Sequence, residues 1–416
     1  MKDESGQVIV IGGGAAGLMA AGTAAASGRK VLLLEKMETP ARKIRITGKG
    51  RCNLSNSAEL VEFMSHFGKS GKFLRQSFQQ FFSGELVDFF QSRGLPVQHE
   101  RGGRIFPAAN DAPAVARVLI DWAKDCGVEF HTGERVSRLL IHDSEIRGVV
   151  AGGREYSARQ VILATGGRSY PRTGSTGDGY RLAEQCGHTV IAPRPALVSL
   201  KTAKEQVRGL AKLNLRNISA RLYINGSRKA QAFGELTFSG TGIGGPIILT
   251  LSTLAVDAIR EKQRVAVHLD LKPALDDRKL DARLLRDLES RAKEPMESVL
   301  RGLLPQKMVP YCLREVEIAP EQIAGQLSAK LRKRLRTWLK DLRFDIIGHG
   351  SWEEAIVTAG GVKTSEVNPK TMESKRVKGL YIAGELLDIQ ADTGGYNLQA
   401  AFSTGWVAGQ AAARVL

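Results

Sequence analysis

Four apolar positions in a row, Val8-Ile9-Val10-Ile11, run into Gly12, Gly13, Gly14 and Gly17. A small-residue stretch follows to Ser27, then Gly28, then a second apolar run, Val31-Leu32-Leu33-Leu34, closed by Glu35. This order predicts strand, turn, helix, stop and strand. Gly28 falls where a helix ends in a left-handed residue, and an apolar run without alternation predicts a parallel strand buried on both faces. Two further runs, Val161-Ile162-Leu163-Ala164 and Gly379-Leu380-Tyr381-Ile382-Ala383, end in Thr165-Gly166-Gly167 and Gly384-Glu385. From about residue 191 the texture changes to short alternating runs such as Ala220-Arg221-Leu222-Tyr223-Ile224, with the turn pair Asn225-Gly226. A helical period follows from about 279 to 343. The expected architecture is an α/β domain made of residues 1–190 and 355–416. An inserted domain, 191–354, interrupts it, β-rich over 191–275 and helical over 276–345.

The first unit carries chemistry. Gly12-x-Gly14-x-x-Gly17 follows a strand, opens a helix, and is followed by the acid Glu35, 18 residues after Gly17, at the end of the next strand. In that setting it is a dinucleotide fingerprint. Gly12 permits the tight turn, Gly14 lets backbone approach a pyrophosphate, Gly17 lets helix and strand pack closely, and Glu35 accepts from ribose hydroxyls. The fingerprint does not separate NAD from FAD. Ala164-Thr165-Gly166-Gly167 with Thr176-Gly177-Asp178-Gly179, and Gly384-Glu385 with Thr393-Gly394-Gly395-Tyr396-Asn397, resemble flavoproteins of the fumarate reductase and glutathione reductase superfamily. In those proteins the chain returns late to complete the flavin site. The fold class implied is a Rossmann-like FAD-binding α/β domain with an inserted β-barrel-like plus helical domain.

A closer resemblance rests on Ala41-Arg42-Lys43-Ile44-Arg45-Ile46-Thr47-Gly48-Lys49-Gly50-Arg51-Cys52-Asn53, on Gly379 to Glu385, and on Gly394-Gly395-Tyr396-Asn397-Leu398-Gln399. These look like the YhiN/BaiN-like flavoproteins, across essentially the whole chain. The resemblance implies FAD and an oxidoreductase role. It implies cofactor contacts from Gly12, Gly14, Ala15, Ala16, Gly17, Glu35, Lys36, Arg42, Lys43, Thr47, Gly48, Gly50, Arg51, Cys52, Asn53, Val136, Ala164, Thr165, Gly166, Gly167, Asp178, Gly384, Glu385, Gly395, Tyr396, Asn397 and Leu398. Members have been linked to reduction of uridine to dihydrouridine in ribosomal RNA, and others named as amine oxidases, such as aminoacetone oxidase, or bile-acid-pathway reductases. One departure is Ser239-Gly240-Thr241-Gly242-Ile243-Gly244-Gly245-Pro246, with Gly240 where the family tends to have histidine. No role for that histidine carries over. The same stretch matches the glycine fingerprint formally, yet Pro246 follows at once, so no second dinucleotide domain is expected. NAD(P)H, as electron donor, would bind transiently against the flavin.

A flavin enzyme must position its ring, stabilise the reduced state and move a proton. A last helix starting near Asn397 could place its positive end against the ring, favouring reduced-state charge by about 1 kcal/mol, roughly 20 mV for two electrons. Two residues are candidates for catalysis. Cys52 lies among Arg42, Lys43, Arg45, Lys49 and Arg51, and nearby cations lower a thiol pKa; the other reading is a small buried hydrophobe. Tyr396 is either a proton donor or an aromatic wall. Arg42 and Lys43 are expected to grip the pyrophosphate, with Arg45 left open. Asp178, at a helix start, reads as an N-cap. The seven histidines show no metal-ligand spacing, and no metal is expected.

Charge adds a partner. The chain of 416 residues carries a net +17, of which +10 falls between 191 and 354. Leu331, Leu335, Trp338, Leu339 and Leu342 make one face of a helix whose other side crowds Lys330, Arg332, Lys333, Arg334, Arg336 and Lys340. Such an excess favours a polyanionic partner, nucleic acid or an anionic membrane surface, against mere solubility; the family resemblance implies ribosomal RNA, bound through the basic inserted domain, or else a small-molecule substrate. No apolar stretch reaches the roughly 18 residues of a membrane span. Met1-Lys2-Asp3-Glu4-Ser5 lacks the order of a signal peptide, so the expectation is a cytoplasmic protein with reduced cysteines at 52, 126, 186 and 312. Nothing in the pattern specifies an oligomeric state. Three functions remain: an FAD-dependent reductase of a ribosomal RNA uridine, a flavin oxidase or reductase of a small molecule, and an assembly factor that keeps FAD as a structural element.

Overall fold

The computed structural model describes residues 7–414, so the expectation drawn from Met1 to Ser5 lies outside the described residues. The chain divides into two compact units, Met1–Ala196 with Trp352–Leu416, and Leu197–Ser351.

The first unit is built on a five-stranded parallel sheet. Its order is Leu380–Ile382, Gln160–Leu163, Val8–Ile11, Val31–Glu35 and Glu129–Thr132. Val8 sits opposite both Gln160 and Val31. The central strands are buried throughout, as unalternated apolar runs require. Helix Ala15–Ala26 packs against the long last helix, Tyr396–Arg414. Their approach depends on absent side chains: a Cβ on Gly405 would lie 2.3 Å from the Ala16 carbonyl oxygen, and one on Gly409 would lie 2.4 Å from that of Ala20. Smaller antiparallel sheets complete the unit, including Val136–His142, Glu145–Ala151 and Arg154–Ser157. Strand Val190–Ala196 pairs with Val357–Val362 here, so residues 191–196 do not open the insertion. Alternation reveals a strand but not the sheet that accepts it.

The second unit is a closed six-stranded barrel with helices. Strands Leu200–Thr202, Gly242–Gly244, Ser227–Phe238, Asn214–Ile224, Val265–Asp270 and Leu342–His349 follow one another around it. Asn225 and Gly226, both at positive φ (49° and 77°), make the hairpin turn the sequence predicts. The formal fingerprint at Gly240, Gly242 and Gly245 spans a barrel strand, antiparallel to both neighbours. Helix Ala329–Lys340 buries Leu335 and Leu339 completely and is capped by the Ser328 hydroxyl, which accepts from the Leu331 N–H.

The cations of this helix meet acids of their own unit. Arg332 pairs with Asp281 at 3.3 Å, Arg336 with Asp281 at 3.3 Å, Arg334 with Glu317 at 2.6 Å, and Lys340 with Asp270 at 2.6 Å. Four of the six cations named on this helix thus have acid partners, and among the described residues no ion pair holds Lys330 or Lys333.

Candidate functional site

The first strand ends at Gly12, with φ 101°. A Cβ there would stand 2.6 Å from the Ala164 carbonyl oxygen, and one on Gly17 would stand 1.8 Å from the Gly12 carbonyl oxygen. These two glycines are demanded by packing. Gly14 differs, since no atom lies within 4 Å of the position its Cβ would take. It is the N-cap of helix Ala15–Ala26, with no side-chain cap and no acid in the first turn. Unsatisfied N–H groups, positive potential and open space meet at Gly14, Ala15 and Ala16.

Glu35 braces that turn. Its Oε2 accepts from the Gly13 N–H at 2.6 Å and its Oε1 from the Met37 N–H at 2.8 Å. Beyond these two hydrogen bonds the carboxylate keeps lone pairs for a further donor. Gly12, Glu35, Lys36, Val136, Thr165 and Asp178 line one pocket, with Ile11, Leu34 and Leu182 as apolar wall. Asp178 is not the predicted N-cap, because Gly177 at φ 85° takes that place and Asp178 begins the helix Asp178–Gln185. Its carboxylate pairs instead with Lys36 at 2.6 Å and Arg135 at 2.5 Å. Burial works to raise the Asp178 carboxyl, but these hydrogen bonds prevail and hold it below its ordinary value. Arg135 was missed by sequence reasoning, since a lone arginine before a strand carries no spacing signal.

The basic loop folds into helix Arg42–Ile46 and the tight turn Thr47–Gly50. Its cations do not crowd a thiolate. Cys52 is wholly buried at φ 59°, and burial pushes its thiol up to about 12, the Thr47 hydrogen bond only partly opposing. The predicted depressed thiol is thereby overturned: burial dominates, and no neighbouring cation offsets it. Arg51 pairs with Glu100, donates to Asn110 Oδ1 at 2.7 Å and lies over Phe106 at 4.2 Å. Lys43 donates to Ser169 Oγ at 2.5 Å and Glu385 Oε2 at 2.7 Å. Arg42 is exposed, while Arg45 Nε and Asn53 Oδ1 are buried without a hydrogen-bond partner in the chain.

The late loop returns onto these elements. Glu385 Oε1 accepts from the Thr358 N–H at 2.8 Å and from Ser169 Oγ at 3.1 Å, so one carboxylate ties four segments. Gly384, Gly166 and Gly167 make the close passages: a Cβ on Gly384 would lie 2.7 Å from Ala16 Cβ, and one on Gly167 would lie 2.3 Å from Thr358 Oγ1. Gly395 brings the last helix to within 2.9 Å of Asn53 Oδ1, measured from its absent Cβ. The Asn397 side chain is spent locally, accepting from the Ala391 N–H at 2.8 Å and donating to the Ala391 carbonyl at 2.9 Å. Leu398 packs against the core. Tyr396, 6% exposed, is stacked by His66 with ring centres 3.9 Å apart, and His66 Nδ1 lies 3.1 Å from Asp392 Oδ2. Burial, then Glu62 and Asp392, push the Tyr396 phenol up. His66 was also missed, being 330 positions from its partner in sequence.

Among the described residues no cluster suited to a metal is present, and no helix is long and apolar enough to cross a membrane. The uncapped helix at Gly14, the acid at Glu35, and the buried unpartnered Asn53 Oδ1 and Thr165 Oγ1 fit the flavin dinucleotide expected from the sequence.

Residues 6–411 match the family described as HI0933-like protein Rossmann domain. The chain is 35% identical over 386 residues to a 3-dehydro-bile acid delta(4,6)-reductase of Clostridium scindens, covering 92% of this chain and 93% of that protein. It is 28% identical over 415 residues to a ribosomal RNA dihydrouridine synthase of Escherichia coli K12, covering 98% of each. The open conformation of a flavocytochrome c3 fumarate reductase shares the fold, with TM-score 0.55 and 18% identity, covering 99% of this chain and 78% of that one.

Proposed function

Since the chain belongs to the HI0933-like family and is an FAD-dependent oxidoreductase, we propose that it saturates a carbon–carbon double bond conjugated to a carbonyl, and that its substrate is a uridine of ribosomal RNA. One observation carries the reaction class. Relatives named for a bile acid and for ribosomal RNA, each matched over nearly the whole chain, share one bond change: delta(4,6) reduction of a 3-dehydro bile acid and conversion of uridine to dihydrouridine both add hydride and a proton across an alkene activated by a carbonyl. The RNA reading is supported by the +10 carried between residues 191 and 354. A base reduced in this way must first be unstacked.

Bound FAD, once reduced by a donor such as a reduced nicotinamide, would supply the hydride. The chain's own residues do the rest. The helix N-terminus at Gly14 holds the pyrophosphate and Glu35 the ribose, while Arg45 and Asn53 offer buried polar groups for the flavin end. Lys43, Ser169 and Glu385 lock the loops together. Tyr396 stays protonated at neutral pH and serves as the proton donor, its ring held by His66, which pairs with Asp392, and by the edge of Phe63.

The test is nucleoside mass spectrometry of ribosomal RNA from cells with and without the chain, complemented by the wild type or a Gly14→Asp variant that cannot seat phosphates. Dihydrouridine restored by the wild type alone supports the reading; unchanged dihydrouridine refutes it. The 35% identity to the bile acid reductase favours a second substrate class, a small cyclic enone. Turnover of a 3-keto-Δ4 steroid by purified protein with reduced nicotinamide, in the absence of RNA, would support that one.

A further inference from the structure

Resting on the RNA reading, we infer that the chain docks the RNA phosphate backbone on a cationic strap across one end of the barrel, formed by Lys201, Lys204, Arg208 and Lys212, and not on helix Ala329–Lys340.

The strap is built by two interleaved patterns. Val207, Leu210 and Leu213 recur every third residue, at 1%, 0% and 8% exposure, and join the barrel core. Successive turns hold them in place: the Leu210 N–H donates to the Val207 carbonyl and the Leu213 N–H to the Leu210 carbonyl. Lys204, Arg208 and Lys212 recur every fourth residue and are exposed. The mismatch of periods sends apolar side chains inward and cations outward. Lys201 extends the row from strand Leu200–Thr202, where it pairs with Gly242 on one side and Gly348 on the other. The Lys212 N–H donates to the Phe238 carbonyl and the Thr202 N–H to that of Thr241, so both ends of the strap are pinned to the same rim.

What separates this surface from the helix is the fate of its charge. Among the described residues none of the four strap cations has an ion-pair partner, and Glu205 is the only acid from 201 to 212. On the helix, Arg332, Arg334, Arg336 and Lys340 are already paired, with Asp281, Glu317, Asp277 and Asp270. A phosphate displacing Asp281 from Arg332 would break one pair to make another, whereas a phosphate at Lys204 or Arg208 releases only counterions. The gain in counterion entropy therefore lies at the strap. Four cations along a dozen residues match a phosphodiester backbone and specify no base, so the strap supplies affinity and leaves selection to the redox site.

The experiment compares the FAD-loaded wild type, a strap variant (Lys201→Gln, Lys204→Gln, Arg208→Gln, Lys212→Gln) and a helix variant (Lys330→Gln, Lys333→Gln). The probe is ribosomal RNA from cells lacking the chain, with affinity measured from about 50 to 200 mM salt. Equal melting temperature and flavin content establish that each variant is folded. The strap variant should lose about 3 from the slope of log affinity against log salt, and ~10-fold or more in affinity, as expected for four lost phosphate contacts at roughly 0.7–0.9 each. Its dihydrouridine formation should fall at limiting RNA and recover at saturating RNA. Wild-type affinity and slope in the strap variant, with loss in the helix variant, overturn the strap. Absence of both binding and dihydrouridine formation by the wild type overturns the RNA reading itself.

Discussion

Replacing Glu35 with glutamine tests whether the acid organises the phosphate turn as well as reading a sugar. The carboxylate accepts from the Gly13 N–H at 2.6 Å and the Met37 N–H at 2.8 Å, one oxygen each. A glutamine keeps one carbonyl oxygen and presents its NH2 to the other N–H, so one charge-assisted bond is lost and donor faces donor. A hydrogen bond to a charged acceptor contributes roughly 1.5–3 kcal/mol. At about 1.4 kcal/mol per tenfold change, a turn that must be reordered on binding should raise the FAD dissociation constant ~10- to 100-fold. The assay is titration of FAD into stripped protein, followed by quenching of flavin fluorescence, beside the melting temperature of the stripped protein. An FAD affinity within about twofold of wild type, in a protein that melts normally, would refute the bracing role.

Tyr396→Phe should lower kcat by ~10²- to 10⁴-fold with KM and flavin content unchanged, the range for a lost general acid; a loss under tenfold in stopped-flow reoxidation by substrate would assign the ring to wall rather than donor. Cys52→Ala should leave turnover within about threefold, because a thiol pushed up to about 12 carries almost no thiolate at neutral pH. Abolished turnover in a folded, flavin-loaded Cys52→Ala protein would restore the thiol to the mechanism. A pH effect on stability should come from His188, whose Nδ1 lies 3.1 Å from Glu366 Oε2 and whose Nε2 lies 2.7 Å from Ser374 Oγ. Burial lowers the His188 pKa below 6.5, and Arg376 leads the groups that lower the Glu366 carboxyl. Both groups bind fewer protons folded than unfolded. Stability is thus full above pH 6.5 and falls as pH drops through the folded value of His188. Melting between pH 7.5 and 5.5 should show this slope, and His188→Gln should flatten it; an unaltered slope would place the titration elsewhere.

The parallel core and the glycine turn were legible because their cause is local. Val8 to Ile11, Gly12, Gly14, Gly17 and Glu35 occupy one short stretch, and strand, turn and helix each constrain residue type at fixed spacing. The Asn225-Gly226 hairpin was legible for the same reason, since both positions require positive φ. Cys52 shows the limit of such reasoning: neighbours in sequence supplied cations, but burial decided the thiol. Asp178 likewise began a helix as expected, yet its carboxylate went to Lys36 and Arg135, brought there by other strands.

By itself, the amino-acid sequence determined which segments become buried strands and where a tight turn leaves room only for glycine, because side-chain volume and periodicity act over a few residues. Only the tertiary structure decided which charges remain free. Desolvation and ion pairing depend on what lies across space, and so Arg332 and Arg336 were consumed by Asp281, while His66 and Tyr396 were stacked from opposite ends of the chain.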